Sequence, residues 1–164
     1  MMFSIRRVTG GLLLIAAVVT AAIAASSAGA ADPVSRTLVL TELTKGSTFT
    51  HLRNSKSKSP AANLQGDILA FTNPLADAAG SKVGTLEVSC LTTKGAKTFT
   101  KSHANCQATV TLADGSLAGQ LNVTPGSDVT GAIVGGTGAY ANARGVISSK
   151  SVNKATVDTI TLSN

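Results

Sequence analysis

The sequence predicts an all-β domain, either a sandwich or a barrel, behind a separate N-terminal leader. Three observations carry that prediction. Period-two runs rich in Val, Ile, Leu and Thr recur between clusters of Gly, Asn, Asp and Ser, the habit of short antiparallel strands. Beyond residue 31 no segment sustains apolar residues at i, i+3 and i+4, so long amphipathic helices are excluded. Ala113-Asp114-Gly115-Ser116 separates two such runs, and Asp-Gly suits the tight connection of a hairpin.

In chain order, residues 1–31 read as a secretory signal peptide. Arg6 and Arg7 open it, 11–25 is an apolar and small run broken only by Thr20, and 27–31 (SAGAA) supplies small residues for cleavage after Ala30 or Ala31. The apolar run is too short for a comfortable membrane span, so no stable anchor is expected after cleavage. The protein is therefore expected outside the cell, by the general or the twin-arginine route. The remainder, 32–164, suffices for one domain with one core.

Strands are expected at 36–44, 66–73, 82–91, 105–112, 116–123, 129–134, 144–152 and 156–162, with one helical turn at 138–142. The stretch 45–63 (KGSTFTHLRNSKSKSPAAN) is expected to be irregular, because Pro60 and its polar content oppose pairing. Alternation places Gly84, Leu86, Val88 and Cys90 on one face, and Cys106, Ala108, Val110 and Leu112 on one face of another strand. The two cysteines thus lie on apolar faces of neighbouring strands. They permit a single intrachain pairing, and an exported protein favours the disulfide over free thiols.

Charge excludes some functions. Fourteen Lys and Arg face eight Asp and Glu, for a net charge of +6. Much of the positive charge lies in 45–58 and 94–101, where Phe49 and Phe99 are the sole aromatics. A nucleic-acid surface would interleave stacking side chains with its cations, so solvated loops are expected instead. His51 and His103 have no clustered ligand spacing and read as polar loop residues, leaving no metal site.

Two sequence blocks do more than specify strands. Residues 66–75 read GDILAFTNPL, and 133–145 read IVGGTGAYANARG, with KVGTLEVSC at 82–90 between them. In this order and spacing they resemble the allene oxide cyclase barrel family and the related dirigent proteins, closest to an exported bacterial branch. The resemblance implies an eight-stranded antiparallel, calycin-type barrel with a cavity for a small hydrophobic molecule, often assembled as a trimer or other homo-oligomer. It implies ring closure or isomerisation guided by cavity shape, without a cofactor. The cyclase glutamate falls on Glu42, the water-holding asparagine on Asn73 and the cyclase cysteine on Cys90. Phe71, Leu86, Val88 and Val110 would form the cavity wall. Thr44 replaces the asparagine expected two residues past the glutamate, and Val129 and Thr130 replace the charged residues dirigent proteins carry before their glycine turn.

The residues themselves leave alternatives open. Glu42 is in phase with Leu38 and Leu40; turned inward, its carboxyl would have a raised pKa and could act as a general acid or base, whereas a slipped phase puts it outside. Asn73 shares a face with Asp67, Leu69 and Phe71, or it is an Asn-Pro turn former. Asp67 and Arg144 are expected to fix turns or form ion pairs. Gly135, Gly136 and Gly138 supply unusual backbone angles, and Tyr140 packs that turn or lines the mouth. The match of 136–141 to G-x-G-x-x-A lacks the βαβ context of a dinucleotide site. A non-catalytic secreted binding or surface-interaction barrel is the alternative to the cyclase.

Overall fold

In a computed structural model that describes residues 36–54 and 62–163, alternating apolar residues build nine antiparallel strands. They are β1 (Arg36–Glu42), β2 (Thr48–Leu52), β3 (Ile68–Ala76), β4 (Lys82–Lys94), β5 (His103–Leu112), β6 (Gly115–Val123), β7 (Val129–Gly136), β8 (Arg144–Val152) and β9 (Ala155–Ser163). Residues 1–31, expected from sequence to be a leader, lie outside the described residues. Each strand from β3 to β9 pairs with its sequence neighbour, and β1 pairs with both β9 and β3, so the sheet closes on itself. Closure removes the unpaired edges that an open sheet would expose.

The ring has eight positions because β1 and β2 share one edge of β3. β1 meets β3 only at Thr41↔Ala76 and Glu42↔Leu75. β2 then takes over with Thr48↔Thr72 through Leu52↔Ile68. Within the break stands Pro74, whose missing N–H would have faced the place where neither strand pairs. Its carbonyl accepts from the Leu43 amide at 2.8 Å. The strand therefore runs through Asn73-Pro74 to Ala76, and of the two readings of Asn73 the turn is not the one adopted. β2 corrects the expectation of an irregular 45–63 over Thr48–Leu52, while 55–61, with Pro60, lies outside the described residues. His51 sits on this strand and is no loop histidine, and His103 opens β5, with Nδ1 3.0 Å from Thr124 Oγ1.

The barrel is packed at one end and hollow at the other. Val110, Leu117, Ile133, Tyr140, Ile147, Ile160 and Leu162 are buried together at the closed end. The glycine turn seals it. Residues Gly138–Tyr140 form a 3-10 turn with Tyr140 only 3% exposed, and Arg36 stacks on its ring and donates to its hydroxyl at 3.3 Å. Only two of the three expected glycines are required there. Gly138 has φ of +58°, and a Cβ on Gly136 would stand 2.4 Å from the Tyr140 carbonyl oxygen and 2.6 Å from that of Ser116. Gly135 has open space, its nearest neighbour being Arg144 Nη1 at 4.0 Å. We expect Gly136→Ala to lower unfolding free energy by about 2 kcal/mol and Gly135→Ala by less than about 0.5 kcal/mol. Urea titration of both variants decides; equal effects would refute the packing account.

At the opposite end Asp67 ties the chain entering β3 to β2. Its carboxylate accepts from the amides of Asn54 at 2.6 Å and Leu64 at 2.9 Å, and meets His51 Nε2 at 3.0 Å. Burial alone would raise its pKa, but the amide bonds and His51 outweigh burial and hold it below the usual aspartate value. Of the two roles open to Asp67, the turn-fixing one is thus found. Arg144 Nη1 donates to its neighbour's carbonyl, at Ala143, at 2.8 Å.

Candidate functional site

Inward-facing residues above the packed layer enclose a cavity of about 570 Å³, a size suited to one small molecule. Leu86, Ala108 and Ile147 form its floor, and Leu69, Phe71, Val88 and the cysteines form part of its wall. Phe49 from β2, Phe99 and the 125–128 connection rim the opening. Of the wall residues expected from sequence, Phe71, Leu86 and Val88 line the cavity. Val110 does not. It points inward as alternation requires, but it lies one level deeper, against Leu117 and Tyr140.

The aromatic content follows the same division. Every phenylalanine among the described residues lines the cavity, while Tyr140 closes the far end. Cys90 and Cys106 stand directly opposite each other on β4 and β5 and form a disulfide, 6% and 4% exposed. The bond faces inward, as the strand phases predict, and occupies the position where the cyclase cysteine falls.

Glu42 projects inward with Leu38 and Leu40 and lines the cavity. Asn73, inward on β3 with Leu69 and Phe71, donates from Nδ2 to Glu42 Oε2. The structure thus brings together the two side chains that sequence reasoning nominated from distant strands. A third polar residue, which that reasoning missed, completes the group. Asp158 on β9 is fully buried beside Leu40, its partner on β1. Its Oδ1 accepts from Ser149 Oγ across the β8–β9 ladder, and its Oδ2 has no hydrogen-bond partner. The signal was available in the phase of 156–162, because Asp158 alternates with Ile160 and Leu162.

These two carboxyls cannot both ionise comfortably in an apolar barrel. Burial, then the neighbouring Asp158 charge, pushes Glu42 up to about 7, against the lowering effect of the Asn73 bond. Burial also raises Asp158, although Ser149 and Glu42 oppose it. The pair therefore holds a proton near neutral pH, with the titration belonging to the pair. A proton kept at Glu42 can be donated to a ligand oxygen or nitrogen, and the resulting carboxylate can take one back. Asn73 fixes the carboxyl's orientation and offers an amide to the same space.

Glu42, Asn73 and Thr156 also border a second depression of about 420 Å³ on the outside of the β1–β3 joint, with Asn153 and Lys154. The carboxyl thus stands in a partition between the cavity and the exterior. A larger depression of about 790 Å³ lies along the outer wall of β4–β7, lined by residues such as Leu91, Asn105, Gln107 and Gln120. It contains no ionisable side chain, whereas Glu42 lines the smaller, interior space. Among the described residues, no group of three or more His, Cys, Asp or Glu could hold a metal ion.

A closed antiparallel barrel with a ligand-sized apolar cavity and one embedded carboxyl pair defines a class of cavity barrels. Residues 47–161 match the Allene oxide cyclase barrel like domain, and the chain belongs to that family. No curated protein sequence matches it. Among solved structures, a pyocyanin demethylase is 25% identical with a TM-score of 0.58, covering 79% of this chain and 99% of that one. A pterocarpan synthase dirigent protein is 20% identical at a TM-score of 0.58, covering 79% and 92%. A nonspecific heme-binding cyclase that catalyses a cycloaddition in neoabyssomicin biosynthesis is 13% identical at 0.58, covering 82% and 68%. The last two likenesses concern the fold.

Proposed function

We propose that this protein is an exported barrel that binds one small hydrophobic molecule and steers its intramolecular cyclisation or isomerisation without a redox cofactor. The observation that carries this reading is Glu42, held by Asn73 and backed by the buried Asp158, in the wall of a largely apolar cavity. Shape supplies part of the catalysis, because a ligand held in a near-attack conformer has already lost the freedom that opposes ring closure. Glu42 supplies the rest by protonating an oxygen or nitrogen as charge develops on it, with Asp158 behind it stabilising the return of the proton. The barrel's solved neighbours include a demethylase, a cycloaddition catalyst and a dirigent protein. Such different transformations on one scaffold support a reading in which cavity lining selects the reaction. Export is supported by the leader pattern of 1–31 and by the disulfide.

Native mass spectrometry of the protein recovered from its own culture fluid tests this reading. The expected result is a chain beginning at Ala31 or Asp32, two daltons below its reduced mass, carrying one organic ligand of a few hundred daltons per barrel. Incubation should convert that ligand or its precursor to an isomer of equal mass. A barrel that binds but never converts its ligand would establish the non-catalytic alternative. A retained leader would refute cleavage after Ala30 or Ala31, protein found only inside the cells would refute export, and protein that is invariably empty would refute both ligand readings.

A further inference from the structure

The two ends of the barrel differ in surface chemistry as sharply as in packing. Among the described residues, Arg36, Lys82 and Arg144 are the cations at the closed end. All the others, including Lys94, Lys97, Lys101, Lys150 and Lys154, lie on strand ends and connections at the mouth end. Few acids offset them there. Glu42 and Asp67 are turned inward, leaving Asp128 and, on the outer wall one rung from Phe49, the exposed Glu87. The exposed apolar residues divide in the same direction. Phe49 is 63% exposed, and Leu52, Ile68 and Leu91 stand at 61%, 42% and 50%. The last three form one row across β2, β3 and β4, since Leu52 pairs with Ile68 and Ile68 with Leu91. Among the described residues every exposed Phe, Leu and Ile is therefore at the mouth end, and the other exposed large apolar residues are valines, of which Val152 also lies near the mouth.

From this we infer that the mouth end of the barrel docks on an anionic lipid surface. Interleaved cations and apolar side chains suit the headgroup layer, where lysines meet lipid phosphates while leucine and phenylalanine enter the acyl boundary. A soluble polyanion would satisfy the lysines but leave the aliphatic row in water. The inference is independent of the chemistry proposed at Glu42, because it concerns only the outer rim. Its consequence is positional: the cavity opening faces the bilayer, the reservoir in which a hydrophobic ligand would be dissolved.

Co-sedimentation of the full chain with phosphatidylcholine vesicles, with and without about one-third phosphatidylglycerol, tests the inference. Binding should require the anionic lipid and fall at high salt. Both Lys97→Glu/Lys101→Glu and Leu52→Asp/Leu91→Asp should weaken it about tenfold. Lys82→Glu, at the far end, should leave it unchanged. All five substituted positions are exposed, and unchanged thermal midpoints verify folding; for wild type, the salt and lipid dependence needs no variant. Equal binding to neutral vesicles, or insensitivity to the mouth-end substitutions, would overturn the inference, and leader-driven binding would give that pattern. Equal retention by dextran sulfate, unaffected by Leu52→Asp/Leu91→Asp, would assign the rim to a polyanion instead. An oligomer that Leu91→Asp dissociates, with vesicle binding intact, would assign the aliphatic row to a second copy.

Discussion

Replacing Glu42 by Gln is expected to abolish turnover while making the barrel more stable in alkaline solution. In the unfolded chain the carboxyl ionises near 4.5, and in the folded chain near 7. Between those values the folded protein holds a proton that the unfolded chain has released. Stability attributable to this group must then fall as pH rises through the window, and the loss is complete above it. Allowing for water that reaches Glu42 from the cavity, the loss is on the order of 2 kcal/mol. Asp158, also raised, contributes with the same sign. Gln copies the protonated acid: its amide can donate toward Asp158 Oδ2 while its carbonyl accepts from Asn73. Denaturant unfolding at pH 5 and pH 8 should therefore give similar stabilities at the lower pH and a more stable variant at the higher. Parallel pH curves would refute the buried proton. Turnover of the bound compound should drop by a factor of about 10² to 10⁴ with ligand stoichiometry retained, which separates loss of the proton from loss of the cavity.

Removing the disulfide as Cys90→Ala/Cys106→Ala is the change expected to damage stability most. Its loop spans a sequence separation of 16, for which loop closure accounts for about 3 kcal/mol. A loss of that size lowers the thermal midpoint of a domain this large by about 10 °C. The pair has a second role, because both residues line the cavity. Truncation should enlarge the ligand space as well as loosen the β4–β5 wall. Scanning calorimetry reads the first effect and ligand occupancy the second. A midpoint unchanged within a degree or two would mean that the ladder between β4 and β5 already fixes this region.

What the sequence disclosed depended on the kind of information each feature needed. Strand phase required only alternation, so the apolar faces of Leu86, Val88 and both cysteines were legible, whereas for Glu42 and Phe71 it named the residues sharing their face and left open which face turned inward. Depth along the barrel was not. Alternation assigns a face without a height, and Val110 therefore looked like a wall residue although it belongs to the packed layer. The five residues of β2 carry the alternation Thr-Phe-Thr-His-Leu, but they pair with β3 alone, and the lysine- and serine-rich sequence around them concealed the strand. Asn73 before Pro74 resembled a turn until β1 and β2 were seen to leave that edge vacant. Asp158 was written plainly, on the same face as two aliphatic residues. Its meaning depended on Glu42 lying diagonally across the β1–β9 ladder, a relation between strands at opposite ends of the chain.

The joint at which β1 yields to β2 has a mechanical consequence. A barrel resists swelling as a cask does, through the continuity of its hoops, and here one hoop is fastened by only two registered residue pairs, Thr41↔Ala76 and Glu42↔Leu75. Strain from an oversized guest will concentrate at the least-bonded fastening, since local opening begins where the fewest hydrogen bonds must break. The proton-bearing carboxyl is part of that fastening. Widening the vessel therefore moves Glu42 first, so the bulk of a guest and the aim of the acid are adjusted by the same displacement.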